Sequence, residues 1–185
     1  MAWIEYVLAS REVLREMMED DIRVAVQKAA HILIEAARNN QPILICGNGG
    51  SAADASHLAA ELMGRFRKDR PPVKAISLAA DAAFLTAYSN DMNYHDVFIR
   101  QIEAYNEGVL VAITTSGKSS NVLRAINMAK EKGMKVIALT GKNGIGPLWE
   151  PTVQIKVPCS STPLIQQAHQ VVYHWLAEQV EDAIA

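Results

Sequence analysis

Apolar residues recur at two different spacings along this chain, and each spacing predicts one type of element. From residue 3 to residue 39 they recur at helical spacing, which predicts two helices. Farther along, short apolar runs alternate with amphipathic stretches. The runs predict buried strands over 42–46, 73–78, 109–114, 135–140 and 153–157. The amphipathic stretches predict helices over about 52–65, 82–88, 94–105, 119–132 and 164–180.

Short strands that alternate with helices predict βαβ units, and such units place a parallel sheet between two layers of helices. We therefore expect an α/β fold with a doubly wound parallel sheet flanked by helices. Its core would span residues 40–185, and residues 1–39 would add an N-terminal helical pair. A chain of 185 residues is long enough for one well-buried core and short for two, which predicts a single domain over 1–185.

Composition narrows the classes of function. The net charge of −2, with 21% charged residues, argues against a general nucleic-acid-binding protein, which usually carries a clustered Lys/Arg surplus. No apolar run is long enough to cross a membrane, and the N-terminal segment mixes acids and bases, unlike a secretory signal. Cys46 and Cys159 form no CxxC motif and are predicted to be free thiols. These features favour a cytoplasmic protein that binds neither nucleic acid nor membranes.

The turn after the first predicted strand is a candidate binding site, because ligands of open parallel sheets collect beyond the carboxyl ends of the strands. It reads Gly47-Asn48-Gly49-Gly50-Ser51 and opens a predicted helix. Glycines allow a ligand to approach the backbone closely, and Ser51 can donate to an anion or cap the helix. Ligand binding and simple helix capping are both compatible with this turn.

A second candidate turn follows the strand over 109–114 and carries hydroxyls around a glycine. It reads Thr114-Thr115-Ser116-Gly117-Lys118-Ser119-Ser120-Asn121 and again opens a helix. Hydroxyls, backbone N–H groups and the helix dipole suit a phosphate monoester, although a serine N-cap with solvated neighbours has the same pattern. Neither turn has the GxxxxGK[ST] spacing of a P-loop, which argues against nucleotide hydrolysis.

Two of the predicted helices carry side chains suited to proton transfer. His57 and Glu61 are spaced i, i+4 and share a helix face, where apolar neighbours would partly desolvate the Glu61 carboxylate. In the last helix, at about 100° per residue, His169 lies about 60° to one side of Gln166 and His174 about 80° to the other. This spacing does not choose between the two histidines, and all of these residues also fit ordinary polar or core roles.

A series of short segments, spread over nearly the whole chain, carries a family resemblance. The segments are Ile45 to Asp54 with a continuation through His57 and Glu61 to Phe66, then Asn90-Asp91, Thr115 to Gly117, Leu139 to Lys142, and Ile165-Gln166 with His174. Together they resemble the sugar isomerase (SIS) family and, more narrowly, the phosphoheptose isomerases. The first segment is specific to that subfamily, whereas the hydroxyl turn marks the wider group of phosphosugar-binding proteins.

The resemblance implies an SIS-type, flavodoxin-like fold and an aldose–ketose isomerase that works through an enediol. The implied reaction converts sedoheptulose 7-phosphate to D-glycero-D-manno-heptose 7-phosphate, for the synthesis of lipopolysaccharide and other surface polysaccharide. Glu61 would be the base and His174 its acid/base partner. Substrate contacts are implied for Asn48, Gly49, Gly50, Ser51, Glu61, Asn90, Asp91, Thr114, Thr115, Ser116, Ser119 and Gln166. A zinc ion, at partial occupancy because Gln is a weak ligand, would be held in a cytoplasmic homotetramer by His57, Glu61, Gln166 and His174.

This chain departs from the family pattern near the last helix and keeps three alternatives open. Leu164 stands before Ile165-Gln166 where the family usually has Arg, so an isomerase of another phosphosugar is one alternative. Thr114 replaces the usual Ser but keeps the hydroxyl. A second alternative is a non-catalytic SIS protein that binds the replication initiator DnaA, but in that relative the acid/base Glu and His are replaced. A third is a phosphosugar-sensing regulator, although this chain has no room for the accompanying DNA-binding domain.

Overall fold

The apolar runs of the sequence form strands, and the amphipathic stretches between them form helices. The structure, a computed structural model, describes residues 1–185. Its strands are β1 (Ile43–Gly47), β2 (Ala75–Ser77), β3 (Val109–Thr114), β4 (Lys135–Thr140) and β5 (Val153–Lys156). Its helices are α1 (Trp3–Glu16), α2 (Asp20–Arg38), α3 (Gly50–Met63), α4 (Ala82–Asp91), α5 (Val97–Ile102), α6 (Ser120–Glu131) and α7 (Thr162–Ile184). Short 3-10 helices cover Tyr94–Asp96 and Pro147–Trp149.

The strands form one sheet in the order β2-β1-β3-β4-β5, and every neighbouring pair is parallel. This is the flavodoxin-like order, in which the direction of winding reverses between β1 and β3. The doubly wound parallel sheet predicted from the sequence is therefore confirmed. Strands β1 and β3 are buried along their whole length, because helices cover both sides of the sheet.

Alternate side chains of β1 enter two separate apolar layers, as the two-residue period of a strand requires. Ile43 and Ile45 lie in one layer with residues of α2, α3 and α7. Leu44 and Cys46 lie in the other layer with residues of α5 and α6. A strand buried on both faces reads as an uninterrupted apolar run, which is why the sequence identified it.

The predicted N-terminal helical pair is present, but its two members have different surroundings. Helix α2 buries Ile22, Ala29 and Leu33 in the first of the two layers. Helix α1 buries only Val13 and leaves Trp3 78% and Ile4 70% exposed. Helix α2 is thus part of the cover of the sheet, whereas α1 presents an apolar outer face.

Several element boundaries differ from those predicted, and three of the differences have a local cause. Strand β2 is shorter than 73–78, since the N–H of Val73 donates to the carbonyl oxygen of Leu62 in α3 instead of to a neighbouring strand. The helix predicted over 94–105 forms as a 3-10 turn followed by α5. Helix α7 begins at Thr162, two residues earlier than predicted, because Pro163 fits the first turn of a helix. None of the helices is both long enough and apolar enough to span a membrane.

Helices α3 and α7 lie side by side and run in the same direction. At one end, Gly50 at the start of α3 faces Gln166 in the first turns of α7. At the other end, the residue Phe66, just beyond α3, is hydrogen-bonded to Glu181 near the end of α7. Both helices therefore begin at the carboxyl edge of the sheet and carry their functional side chains in matching order.

Candidate active site

A cavity of about 320 Å³ lies at the carboxyl edge of the sheet, over the point where the winding reverses between β1 and β3. It is lined by Asn48, Gly49, Gly50, Ser51, Ile113, Thr114, Thr115, Ser119, Thr162 and Gln166. Both turns singled out from the sequence thus contribute to one cavity. Helices α3, α6 and α7 all begin beside it, and their positive dipole ends favour an anion.

The glycine turn contains two positions that favour glycine, Gly49 for its backbone angles and Gly50 for lack of room. Gly49 has φ +57° and ψ −122°, in the left-handed region that favours glycine. A Cβ on Gly50 would overlap the side-chain amide of Gln166. The bare backbone at residue 50 is therefore what allows Gln166 to lie across the start of α3 and face the cavity.

The hydroxyl turn divides its side chains between the cavity and solvent. Thr114 is buried, and its Oγ1 lies 3.3 Å from Oγ of Ser119, so that these hydroxyls and Thr115 form one wall of the cavity. Ser116 is exposed, and its Oγ accepts the backbone N–H of Lys118 at 3.2 Å. The structure places Thr114, Thr115 and Ser119 at the cavity and leaves Ser116 outside its lining.

The two turns are joined by a pair of amide side chains. Asn48 and Asn121 each donate an amide N–H to the side-chain oxygen of the other, both at 2.9 Å. The Tyr94 hydroxyl donates to the same Asn48 oxygen at 2.8 Å. Because the Asn48 oxygen already accepts both bonds, this side chain fixes the relative position of the turns as well as lining the cavity.

Asn90 and Asp91 lie at the end of α4, outside the lining of the cavity. Both are exposed, and the Asn90 amide donates to the Asp91 carboxylate at 3.0 Å. They are followed closely by Tyr94, the residue that reaches the site through its hydroxyl. The segment predicted to contact substrate therefore lies near the cavity, and the hydrogen bond from Tyr94 to Asn48 connects it to the site.

A second group of functional side chains forms where α3 packs against α7, and we name it the His57–Glu61–His174 cluster. Nε2 of His57 lies 3.0 Å from Oε1 of Glu61, and the imidazole rings of His57 and His174 are 5.0 Å apart between centroids. One potential ligand atom from each of the three residues lies within 4.8 Å of the others. The pairing of His57 with Glu61 came from their spacing, whereas the approach of His174 comes from packing.

Behind this cluster, buried polar groups hold the His57 ring. The Tyr173 hydroxyl lies 3.0 Å from Nδ1 of His57 and donates to Oδ1 of Asp54 at 3.4 Å. With the Tyr173 proton directed to Asp54, Nδ1 of His57 carries its own proton and donates to Tyr173. In this tautomer Nε2 has the lone pair that a metal ligand needs, whereas in the tautomer that accepts the Tyr173 proton at Nδ1, Nε2–H donates to the Glu61 carboxylate.

Burial sets the protonation of the surrounding groups. Desolvation raises the pKa of Asp54, although hydrogen bonds from Gln170 and Tyr173 oppose the effect. Desolvation, reinforced by the charge of His57, lowers the pKa of His174 below its ordinary value. At neutral pH, His174 is therefore a neutral imidazole that can both donate and accept a proton.

The structure separates the two histidines that spacing alone left open. His169 is fully buried, and its Nε2 lies 3.2 Å from the carbonyl oxygen of Thr140. Desolvation lowers the pKa of His169 to about 4. His169 is thus a neutral core residue, whereas His174 belongs to the cluster with Glu61.

Gln166 lies in the cavity rather than beside the other residues predicted to ligate zinc. It is eight positions before His174 on α7, which is about 12 Å along the helix axis. Its amide packs against Gly50. Within one chain, the structure brings His57, Glu61 and His174 together and places Gln166 with the turns that line the cavity.

Known proteins with similar sequences cover nearly the whole chain. The profile of the SIS domain family matches residues 5–141. A phosphoheptose isomerase of Helicobacter pylori is 44% identical over 178 residues, which are 94% of this chain and 91% of that protein. The phosphoheptose isomerase of a Nitratiruptor species is 44% identical over 184 residues, which are 97% of each chain. The chain belongs to the phosphoheptose isomerases of the SIS domain family.

Solved structures of this family have the same fold as the chain. The phosphoheptose isomerase of Francisella tularensis has a TM-score of 0.91 and 31% identity, over 98% of this chain and 100% of that one. The enzyme from Neisseria gonorrhoeae has a TM-score of 0.82 and 34% identity, over 97% of this chain and 95% of that one. The chain is therefore an isomerase with the SIS-type fold that its sequence resemblance implied.

Several residues that shape the site of this phosphoheptose isomerase family member have no signal in the sequence. Asn121 ended the hydroxyl turn, but nothing local showed that its partner would be Asn48. Tyr173 stands beside His174 in an apolar helix, and the sequence gives no signal that sets it apart. Its hydroxyl contacts to His57 and Asp54 depend on the parallel packing of α3 and α7, which spacing within one helix does not reveal.

Proposed function

We propose that this isomerase interconverts sedoheptulose 7-phosphate and D-glycero-D-manno-heptose 7-phosphate through an enediol. The observation that carries the proposal is the convergence of Glu61 and His174, with His57 between them, in a chain related to phosphoheptose isomerases. An aldose–ketose isomerisation needs one group that moves a carbon-bound proton and another that moves the hydroxyl proton. A partly buried carboxylate and a neutral imidazole supply these two groups.

In this proposal, the cavity at the carboxyl edge of the sheet binds the phosphate group of the substrate. The hydroxyls of Thr114 and Ser119 line it, and so do Gly50 and Ser51 at the start of α3. Hydroxyl donors and the N-termini of helices suit a phosphate dianion. Gln166 adds an amide that can contact a sugar hydroxyl beside the phosphate.

We assign the proton transfers to Glu61 and His174. In the ketose-to-aldose direction, the Glu61 carboxylate takes a proton from C1, a C1–C2 double bond forms, and His174 gives a proton to the carbonyl oxygen on C2. The enediol then returns the O1 proton to His174 and receives the Glu61 proton at C2, which leaves an aldehyde at C1. Each residue ends in its starting state, so the pair works equally in both directions.

The His57–Glu61–His174 cluster has a donor set that fits zinc. Two imidazole nitrogens and a carboxylate oxygen are ligands that Zn²⁺ takes in catalytic sites, and Tyr173 orients His57 from behind in the way of outer-shell partners. When bound, zinc would act as a Lewis acid that polarises an oxygen of the open-chain sugar. Because Gln166 of the same chain lies in the cavity, Gln166 of another subunit would have to complete the proposed set of four zinc ligands.

The separation of cavity and cluster supports an oligomer with shared sites, which we propose to be a homotetramer. Gly50 and Glu61 are eleven residues apart on α3, or about 16 Å along the axis. The substrate extends only roughly 10 Å from its phosphorus to C1, given C–C bonds near 1.5 Å. We therefore propose that the cavity of one subunit faces the cluster of another. The exposed apolar residues of α1, such as Trp3 and Ile4, are suited to such contacts.

The cellular setting is proposed on simpler grounds. Cys46 and Cys159 are both free thiols, which fits the reducing cytoplasm. There, residues 1–185 would act as one domain, in which α1 and α2 pack on α7. The heptose phosphate would feed the synthesis of lipopolysaccharide or other surface polysaccharide.

The direct test is isomerisation of sedoheptulose 7-phosphate by the purified protein, followed as formation of the aldose with and without added zinc. We expect turnover by the wild type and a loss of at least about 100-fold in Glu61→Gln and His174→Ala, in keeping with the usual contribution of general acid/base groups. His31→Ala is the matched control, because His31 is exposed on α2 and belongs to neither the cavity lining nor the cluster. Turnover should also be compared with that of other ketose phosphates, since Leu164 departs from the family pattern.

The outcomes separate the rival functions. A folded wild type that binds the phosphosugar without turnover would overturn the proposed reaction and favour a binding protein. Faster turnover of a different ketose phosphate would show that sedoheptulose 7-phosphate is not the substrate, but the assignment of Glu61 and His174 as the acid/base pair would still hold. Full activity in Glu61→Gln would exclude this carboxylate as the base.

A further inference from the structure

A buried ion pair that the proposed chemistry does not use lies at the end of α3. The side chains of Arg70 and Glu181 are 0% and 1% exposed, and Nε of Arg70 lies 3.6 Å from Oε2 of Glu181. Buried ion pairs add little net stability, because desolvation offsets most of their attraction. A fully enclosed pair next to a functional cluster therefore calls for another role.

Arg70 closes the carboxyl end of α3. Its guanidinium donates to the carbonyl oxygens of Glu61 and Leu62, both at 2.8 Å, and to that of Gly64 at 3.2 Å. The last carbonyls of a helix have no partners within the helix, and a cation there also complements the helix dipole. Arg70 thus holds the backbone of Glu61 itself.

Glu181 ties the same segment to α7. Its carboxylate accepts the backbone N–H groups of Phe66 at 2.9 Å and of Arg67 and Lys68 at 2.8 Å each. Hydrogen bonds to a charged acceptor are stronger than those between neutral groups. Because Glu181 belongs to α7 and the three N–H groups follow α3, these bonds fix the end of one helix against the other.

The fixed segment delivers an aromatic ring to the cluster. The Phe66 ring stacks on the imidazole of His174, with 5.9 Å between centroids and 28° between planes. Arg70 holds the backbone of Glu61 on one side, and Phe66 backs His174 on the other. The relative position of the proposed base and its partner is therefore set from the end of α3.

On the basis of the proposed function, we infer that Arg70 and Glu181 form a positioning clamp that holds Glu61 and His174 at the separation their proton transfers require. Proton transfer is sensitive to misplacement of much less than the length of a side chain. The clamp lies about 16 Å along α3 from the cavity at Gly50, so loss of the clamp should impair the chemical step and spare phosphate binding.

The test compares Glu181→Gln and Arg70→Lys with the control Glu178→Gln. Gln at 181 keeps the shape but loses the charge, and Lys at 70 keeps the charge but loses the fork of donors. Glu178 lies on the same helix in a partly exposed pair with Arg67, so its variant tests loss of a nearby ion pair. We expect kcat to fall about tenfold in Glu181→Gln, with KM unchanged within about twofold, as a small misplacement predicts. Arg70→Lys should retain more activity than Arg70→Ala, and the control should match the wild type.

A second readout does not depend on activity. The ring-proton NMR signals of His174, assigned by their loss in His174→Ala, should be shifted by the stacked Phe66 ring. They should move in Glu181→Gln, move in the same direction in Phe66→Leu, and stay in place in Glu178→Gln. Phe66→Leu removes the ring but leaves Arg70 and Glu181 unchanged. It therefore tests the contact with His174 even if the variants of the buried pair fold poorly.

The results distinguish the clamp from the function on which it rests. If the wild type does not isomerise the substrate but the His174 signals move as expected, the clamp stands and the proposed reaction falls. If the wild type is active, and Glu181→Gln lowers Tm while kcat per folded enzyme and the His174 signals stay unchanged, the pair is merely structural and the inference is overturned.

Discussion

Single residues show how a missing side chain can make room for a functional one. Gly50 is bare because the amide of Gln166 occupies the space that a Cβ would need. The sequence marked both residues, Gly50 by its glycine turn and Gln166 by family resemblance. It could not show that one explains the other, because their contact depends on the packing of α7 beside α3.

Filling the space at Gly50 should therefore disturb binding more than folding. In Gly50→Ala the new methyl group meets only the flexible end of the Gln166 side chain, so that side chain should move out of the cavity. We expect KM to rise about tenfold, the size of one lost hydrogen bond of roughly 1–1.5 kcal/mol, with kcat and Tm nearly unchanged. Steady-state kinetics and thermal melting measure these effects.

Gly146→Ala is the matched control for this change. Gly146 has φ −64° and open space where a Cβ would stand. Equal KM values in the two variants and the wild type would show that Gln166 does not contact the substrate.

Helices and strands were predictable here because their signals are local. The apolar runs of β1, β3 and β4 and the stripes of the long helices follow from burial on fixed faces. The short edge strand β2 and the split near residue 94 were less predictable, since a backbone hydrogen bond to α3 limits β2 and the Asn93 side chain caps the 3-10 turn. Contacts between elements, such as Tyr173 with His57 or Arg70 with Glu181, have no local signal.

The end of α3 also gives the protein a specific acid sensitivity. Desolvation opposes ionisation of Glu181, but the backbone N–H groups and Arg70 prevail and hold its pKa below the ordinary 4.5. A lowered pKa means that Glu181 stabilises the fold fully above its unfolded pKa and loses this contribution as the pH falls through its folded pKa. The loss should therefore begin below about pH 4.5 and deepen with further acidification.

Urea unfolding from pH 7 down to pH 3 can measure this contribution. The free energy of unfolding of the wild type should exceed that of Glu181→Gln by a constant amount above about pH 5, and the difference should shrink below pH 4.5. Asp182→Asn serves as a control, because its pair with Lys68 is exposed. A difference that stayed constant down to pH 3 would show that the charge of Glu181 is not responsible.

The whole molecule combines a well-packed sheet with one helix that is poorly buried. Only Val13 of α1 is buried, while Trp3, Ile4, Val7 and Leu8 are exposed. An apolar face of this kind usually marks a contact surface. If subunits share sites as proposed, both the assembly of the oligomer and the activity of the enzyme should require α1.

Charge on the outer face of α1 should separate the subunits. Trp3→Glu combined with Ile4→Glu would place charges in the proposed contact, and we expect sedimentation velocity to show smaller species with turnover reduced at least about tenfold, since an unpaired buried charge is costly. Arg11→Glu, an exposed charge change on the same helix, is the control. Full activity in a dissociated double variant would show that one chain holds a complete site.

The two thiols of the chain differ greatly in accessibility. Cys46 lies in β1, where burial raises its pKa to about 12 and leaves almost no thiolate at neutral pH. Cys159 is partly exposed and comes three residues before Thr162, which lines the cavity. A fluorescent maleimide should therefore label the wild-type enzyme at Cys159 only. The fluorescence of the attached dye should change when a sugar phosphate binds in the neighbouring cavity.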